Sequence, residues 1–566
     1  VSASLRLQRT TIVLLVSLVL AGCAAPATRD AGPSYTRLVA DLRAGRSDAW
    51  DRLDPAFLEL PDVQQRLEEL GLLHRRAAST PDSDRAGLTR LAESMLDQYY
   101  GDMQAHELRR RLALASGSEE IAAFHADAVA SIDGAIADSG DGSAEAPYRV
   151  LTAPQAHAWL RRREADVVGA LYTTDDEAPR LTLVTKVRQG DDEPLTEIRF
   201  DLTPTFLAGT RAAFAMSGGE IPLPSRVVAT RAAQGDPAAQ TSHAIEMWHQ
   251  GPEHAGRAVQ WLQAASESGN LVAREMLGVI YGSLASGRTG TEADQLLNAA
   301  VDQFLLAVNQ GSDSAMYNLA QLYLSGHFGE ENRAAGVALL RQAAERDNLD
   351  ALVMLARLHY NGQYVGEDQE RAIELLRRAS AGGHAEAQLF HARHLLTTDD
   401  GAGFDDQALV WLREAASSGS SVDAMMLLGT LLARGEQVPA DPAEAVSWFK
   451  RAAAATDDAE TINTVAWILA VAENRALRDP DAALQLMDDL MNADRAAATN
   501  PAYIDTWAAA HAATGAFEEA VKVQGRALEI AITETSESGE APDYLPVLRD
   551  HLQRYRDGET VSEDVP

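Results

Sequence analysis

The sequence predicts a mainly α protein, an α-α hairpin solenoid with an N-terminal helical region and a small α+β insert. In the second half of the chain, small and apolar residues recur about every thirty-six positions. Within each recurrence they sit three and four residues apart, which places them on one helical face. The composition agrees: aromatic residues are 6% and charged residues 23% of the 566, values that suit closely packed small-residue helices. A chain of this length exceeds what one hydrophobic core sustains, so a repeat array or several domains are expected.

The formal net charge of −34 excludes the phosphate attraction on which nucleic-acid binding rests, and anionic lipid surfaces are repelled likewise. Any contact with a membrane must therefore be covalent or apolar. Residues 1–22 read as an export signal: Arg6 and Arg9 precede the apolar run Thr11 to Leu20, which ends in Leu20-Ala21-Gly22-Cys23. Cys23 is the only cysteine, so no intramolecular disulfide can form. The four residues resemble the bacterial lipobox, which implies cleavage before Cys23, lipidation of its sulfur and acylation of its new amino group. Two or more acyl chains anchor stably, so the mature chain is expected to be tethered to a membrane by lipid alone. By resemblance to Gram-negative sorting rules, Ala24 in place of aspartate implies the outer membrane over inner-membrane retention, and a chain facing the periplasm is expected, the exterior remaining the alternative.

Residues 23–33 are small and turn-rich and read as a flexible tether. Residues 34–146 form an N-terminal helical region, with Leu88, Leu91, Met95, Leu96 and Tyr99 marking one amphipathic face. The glycines and aspartates between Ile136 and Tyr148 end that pattern. Asp138, Asp141 and Glu145 lack the alternate spacing of a calcium loop, so a turn is expected. Residues 147–228 read as the α+β subdomain: Tyr148 to Val150, Asp166 to Tyr172, Arg180 to Arg188 and Leu195 to Leu202 are strand-like, and Pro154 to Glu164 helix-like. The Ser139-Gly140-Asp141-Gly142-Ser143 segment in this setting resembles an uncharacterised domain family of bacterial envelope proteins.

The repeats occupy residues 229–470. Aligned on Trp261, Gln303, Leu339, Leu375, Trp411 and Trp448, they are spaced by 42, 36, 36, 36 and 37 residues. One residue after each anchor stands Leu262, Phe304, Leu340, Leu376, Leu412 or Phe449. Eight after, Gly269, Gly311, Asp347, Gly383 and Gly419 mark a left-handed helix end, and Thr456 breaks the series. A second helix follows, with Leu277-Gly278, Leu319-Ala320, Leu355-Ala356, His391-Ala392 and Leu428-Gly429, whose small residues let two backbones approach. One such hairpin cannot bury both faces, so stacking is obligatory. This pattern resembles the Sel1-like repeat, a relative of the tetratricopeptide repeat, over six units from Ala258 to Ala470, with Val227 to Trp248 as a degraded leading unit. Residues 471–532, with Gly515-Ala516-Phe517, resemble tetratricopeptide text. Residues 533–566 are read as a polar linker, a capping helix over Tyr544 to Tyr555 and an acidic tail expected to be disordered.

Candidate chemistry is sparse. His391 and His394, with His384 before them, have a zinc-like spacing but no third acidic or cysteine ligand in sequence, so packing is expected. His106-Glu107 opens a zinc-protease string that fails because Arg110 stands where the second histidine must be. No catalytic residue, metal or cofactor is assigned. Trp248, Trp261, Trp411, Trp448, Trp467 and Trp507 are expected mostly in the core, and the six extra residues within Ser283 to Asp294 are expected as an exposed loop, either functional or simple slack. The resemblance implies a non-enzymatic scaffold of the cell envelope that binds an envelope protein or peptide. The alternative is an envelope enzyme or carbohydrate-binding factor using Glu145, Asp175, Asp176 or Glu197 of the N-terminal region, with the repeats as a targeting arm.

Overall fold

A computed structural model describes residues 34–190, 193–217, 222–397, 406–419, 421–538 and 541–564. Leu20, Ala21, Gly22 and Cys23 and the tether lie outside the described residues. The protein is mainly helical with one four-stranded sheet, and it divides into two compact units, one up to Ala315 and one from Met316 onward. Among the described residues no helix is long and apolar enough to cross a membrane.

The first unit opens on helices that include Val63–Ser79, Arg85–Gln98, Met103–Ala115 and Glu119–Ala137. The first three of these and the shorter helices Tyr35–Arg43 and Leu53–Leu58 meet around Leu38, Phe57, Leu70, Met95 and Tyr99, whereas Val129, Ile132 and Ile136 of Glu119–Ala137 pack with the sheet residues Leu181 and Phe200. Asp84 and Asp102 cap two of these helices by accepting the Gly87 and Ala105 N–H groups. The turn after Ile136 forms as expected, Asp141 accepting the Ser143 N–H at 2.8 Å.

The sheet follows, with β1 (Tyr148–Arg149), β2 (Asp166–Asp175), β3 (Arg180–Arg188) and β4 (Thr196–Asp201) in the order β1-β4-β3-β2. β2 runs three residues further than its apolar pattern suggested, because Thr173, Thr174 and Asp175 pair with Thr182, Leu181 and Arg180. As the outer strand, β2 presents unpaired backbone groups, a liability that folds must cover. The first repeats cover it. The Asn270 carboxamide donates to the Ala170 carbonyl at 2.8 Å and accepts the Ala170 N–H at 3.3 Å, while the Tyr172 N–H donates to Ser242 Oγ at 2.7 Å. Gly169 permits the approach, since a Cβ there meets the Val272 backbone nitrogen at 3.1 Å. Lys186 and Glu275 add an ion pair at 2.9 Å.

The hairpins form as the repeat pattern requires. Pro224–Ala233 with Pro237–His249 is the leading one, followed by Ala255–Glu267 with Leu271–Ser286, and the chain continues in this manner to Val471. Gly269, Gly311, Gly383 and Gly419 all take positive φ, and Asp347 adopts the same conformation at φ 57°. The next residues supply the cap of the following helix: Asn270, Ser312 and Asn348 accept the N–H groups of Val272, Ala315 and Ala351. In these three hairpins a left-handed residue is followed directly by a capping side chain, and after Gly419 the cap is Ser421, which accepts the Ala424 N–H. Trp448 is buried, and Trp248, Trp261, Trp467 and Trp507 pack, partly buried, against the repeat cores.

Three expectations are corrected. The extra residues of Ser283 to Asp294 lengthen two helices, Leu271–Ser286 and Thr291–Asn309, and leave only Gly287 to Gly290 as a connection. Alanine and leucine within the stretch favour continuing the helix over looping out. The polar stretch from Thr533 continues the Phe517–Ser538 helix as far as its end. The acidic tail folds back: the Glu563 N–H donates to the Val471 carbonyl at 2.9 Å, the Glu473 N–H donates to the Glu563 carbonyl at 2.7 Å, and Val561 is buried. The Leu545–Arg556 helix matches the expected cap.

Candidate partner-binding surface

In the second unit, the second helices of three successive hairpins, Asp313–Leu324, Leu349–Asn361 and Ala385–Thr397, contribute residues to one cleft of about 340 Å³. Tyr317 and Gln321, one turn apart, and Asp350 and Arg357, two turns apart, meet His384 and Glu386 from the start of the third helix on a common surface. Tyr364 borders it from the loop after Asn361, held at φ 61°. A bulky side chain in that conformation costs about 1–3 kcal/mol and persists only where surrounding structure imposes it.

The cleft is polar and internally paired. Arg357 Nη2 lies 2.9 Å from Glu386 Oε1, with both side chains mostly exposed, so the pair itself contributes little stability. Burial, then the Asp350 charge, raises the Tyr317 hydroxyl above its ordinary pKa, so it remains a donor. The cleft therefore offers two phenol rings, two carboxylates, a guanidinium and an imidazole to an incoming chain.

His384 belongs to this surface and not to a metal cluster with its neighbours. Its Nδ1 accepts the Ala387 N–H at 3.3 Å, capping its own helix, and its Nε2 faces Asp350 Oδ1 of the preceding hairpin at 3.3 Å. His391 packs edge-on against Trp411, centroids 5.2 Å apart. Among the described residues no group of three or more His, Cys, Asp or Glu is placed to hold a metal. Treatment with a chelator is accordingly expected to leave the melting temperature of the full chain unchanged, as scanning calorimetry with and without it will show. A drop of several degrees contradicts this reading of the histidines.

His106, singled out by its failed protease string, is fully buried in the first unit. Its Nε2 donates to the Tyr100 carbonyl at 2.8 Å and its Nδ1 meets His125 Nδ1 at 2.9 Å. Since Nε2 carries the donated proton, Nδ1 accepts from His125, and both rings are neutral in that arrangement. Burial lowers both pKa values, that of His125 to about 4. Glu107 is engaged by Arg110 at 2.8 Å, which holds its carboxyl below the usual range. Sequence spacing could not reveal the His106–His125 contact, which joins two different helices.

The carboxylates of the enzyme alternative serve local structure. Asp175 accepts the N–H groups of Glu177 and Ala178, Asp176 accepts from the Ser225 N–H and hydroxyl, Glu197 pairs with Arg199 at 2.6 Å, and Glu145 is exposed.

The Sel1 repeat family model matches residues 255–270, 313–348, 349–384, 405–420 and 422–457, so the chain carries Sel1 repeats. None of the curated proteins matches the chain. Among solved structures it is similar to a Sel1 repeat protein from Oxalobacter formigenes, at 26% identity over 39% of this chain and 86% of the other, with a TM-score of 0.32. It is also similar to a protective antigen present in uropathogenic Escherichia coli strains, at 20% identity over 63% and 82%, with a TM-score of 0.35. Yeast Tom70 matches at 13% identity over 92% of this chain and 96% of that one, with a TM-score of 0.26.

Proposed function

We propose that this Sel1-repeat chain is a lipid-anchored scaffold of the bacterial cell envelope that binds a protein partner through its repeats and does not catalyse a reaction. The observation that carries this reading is the cleft walled by three consecutive second helices, where Tyr317, Asp350, Arg357, His384 and Tyr364 converge. Stacked hairpins create extended surfaces suited to a peptide or helix, and mixed charge with flanking tyrosines suits a polar, extended segment. The anchor is supported by Leu20-Ala21-Gly22-Cys23 after an apolar run, with Cys23 as the lipidated residue. Placement on the outer membrane rests on Ala24, and the periplasmic face is part of the proposal.

Mild crosslinking in intact envelopes, followed by affinity recovery, tests this with three chains: wild type, Cys23→Ser, and the double variant Tyr317→Ala/Tyr364→Ala. The wild-type chain is expected to recover one reproducible envelope partner, and the double variant to lose it while keeping its melting temperature. Cys23→Ser is expected to leave the membrane fraction. Equal recovery by the double variant, or no reproducible partner for the wild type, removes the cleft from the account.

A further inference from the structure

Two helices of the first unit carry an interior glycine that neither packing nor backbone conformation requires. Gly71 stands within Val63–Ser79 and Gly209 within Thr203–Ser217. A Cβ at Gly71 meets only Arg75 Nη1, at 3.8 Å, and one at Gly209 only Gln64 Oε1, at 3.9 Å, so no close neighbour excludes a side chain at either place. Glycine weakens a helix interior relative to alanine. Both residues border one cavity of about 1200 Å³, above the usual size of a ligand pocket, and their missing side chains keep it open.

The cavity joins an apolar floor to a cationic wall. Leu70, Leu151, Leu181, Leu202 and Phe206, all buried, form the floor. Arg75, Arg226 and Arg231 also line it, and among the described residues none of the three forms an ion pair. The two carboxylates of the lining are engaged elsewhere: Glu68 accepts from Gln64, and Asp236 accepts the Ala238 and Ala239 N–H groups at Oδ1 and the Tyr172 hydroxyl at Oδ2. His74 is turned to Asp102, its Nε2 2.9 Å from Oδ2. Arg231 is the cation whose direction is fixed. Its Nη1 donates to the Tyr172 hydroxyl at 3.0 Å, and that hydroxyl donates to Asp236 Oδ2 at 3.0 Å. Tyr172 is buried and Asp236 caps the Pro237–His249 helix, so the fold holds both. Nε and Nη2 of Arg231 form the side-on fork that matches a carboxylate, and among the described residues neither has a hydrogen-bond partner.

We propose that this cavity binds an alkyl carboxylate, its chain on the leucine and phenylalanine floor and its head in the Arg231 fork. Arg75 and Arg226, both exposed, add positive charge at the opening, against the net charge of −34 that otherwise repels an anion. Tyr172 acts as a positioning residue, since its hydroxyl takes one end of the guanidinium and leaves the fork for the ligand. An alcohol of the same length offers the floor the same chain but gives the fork no charge, so the head group decides the affinity.

Titration calorimetry on the full chain purified as Cys23→Ser, with decanoate and decanol as probes, provides the test. Decanoate is expected to bind, and decanol to bind at least about fivefold more weakly. Arg231→Gln should lower decanoate affinity about tenfold and leave decanol affinity unchanged. Tyr172→Phe frees the guanidinium and should weaken decanoate severalfold with decanol again unchanged, a split that a merely structural role does not produce. Arg75→Gln/Arg226→Gln, at exposed positions where the fold does not depend on the side chains, should weaken decanoate by about twofold to fivefold. Gly209→Leu fills the cavity, so both probes should lose binding while the melting temperature holds or rises. Failure of decanoate to bind, or decanol binding as tightly, overturns the proposal. Parent-like decanoate affinity in Arg231→Gln or in Gly209→Leu overturns it as well.

Discussion

Replacing Asp505 by alanine is expected to destabilise the C-terminal end of the chain by about 3–5 kcal/mol, the range found when one partner of a buried charge pair is removed. Asp505 stands on the Pro501–Ala513 helix with its side chain 11% exposed. Its Oδ1 accepts from Gln524 Nε2 at 2.6 Å and from His551 Nδ1 at 2.9 Å, so one carboxylate ties three helices together. His551 packs against Trp467, whose Nε1 donates to Glu563 of the returning tail. Loss of the carboxylate leaves the imidazole Nδ1 buried without its acceptor and the Gln524 carboxamide with only the Leu548 carbonyl.

The pair also gives this region a pH dependence of known sign. Burial alone lowers the His551 pKa, but the hydrogen bond and charge of Asp505, with Glu563 and Asp550, outweigh it and raise the folded value. The folded state then holds its proton more tightly than the unfolded state, whose histidine titrates near 6.5. The resulting stability is complete below that pH and is lost as pH rises through the raised folded value. Hydrogen exchange of the 501–556 amides at several pH values checks this: protection should fall in the parent as pH rises through the raised folded value, and Asp505→Ala should lack that slope. Protection that rises with pH contradicts the assignment.

Phe449→Ala is expected to cost about 3–5 kcal/mol in the sixth repeat, the effect of truncating a fully buried ring. Phe449 is 0% exposed and lies against Gly429, where a Cβ meets its ring carbon at 2.7 Å. The same arrangement occurs earlier, where a Cβ at Gly278 would collide with the Phe304 ring. The intervening hairpins carry the corresponding residues Ala320 with Leu340, Ala356 with Leu376 and Ala392 with Leu412. Where the following hairpin offers phenylalanine, the preceding one offers glycine, and where it offers leucine, alanine. Volume is thus conserved across each contact while identity changes, as close-packed interiors require. Urea denaturation followed by far-ultraviolet dichroism reads the loss for Phe449→Ala, and a change below about 1 kcal/mol contradicts the packing described.

The repeats were legible because their physics is local and periodic. Small residues at spacings of three and four, followed by Gly269, Gly311 or Gly383 and then a capping side chain, specify a hairpin without reference to distant residues. The strands of the insert were readable for the same reason, β3 to the residue. What escaped were contacts between segments far apart in sequence. Asn270 covering the edge of β2, Glu563 pairing across to Val471 and Glu473, and His74 meeting Asp102 depend on tertiary placement, and no periodicity encodes them. The Ser283 to Asp294 stretch misled because serine, glycine and threonine read as a loop, whereas Ala285 and Leu297 are buried and draw the helices onward. Of the candidate surface, the helices were predictable. The convergence of Tyr317, Arg357 and His384 was not, since it appears only when three hairpins are stacked.

A double-mutant cycle at Gly429 and Phe449 tests most directly the claim that successive hairpins are matched residue to residue. Gly429→Ala removes a helix-weakening glycine, yet it is expected to destabilise, because its methyl collides with the Phe449 ring. Phe449→Leu alone leaves a void. Combined, they recreate the alanine–leucine contact of the other hairpins, so the double variant should recover at least about 1 kcal/mol relative to the sum of the single changes. Strict additivity, with no recovery, contradicts the account.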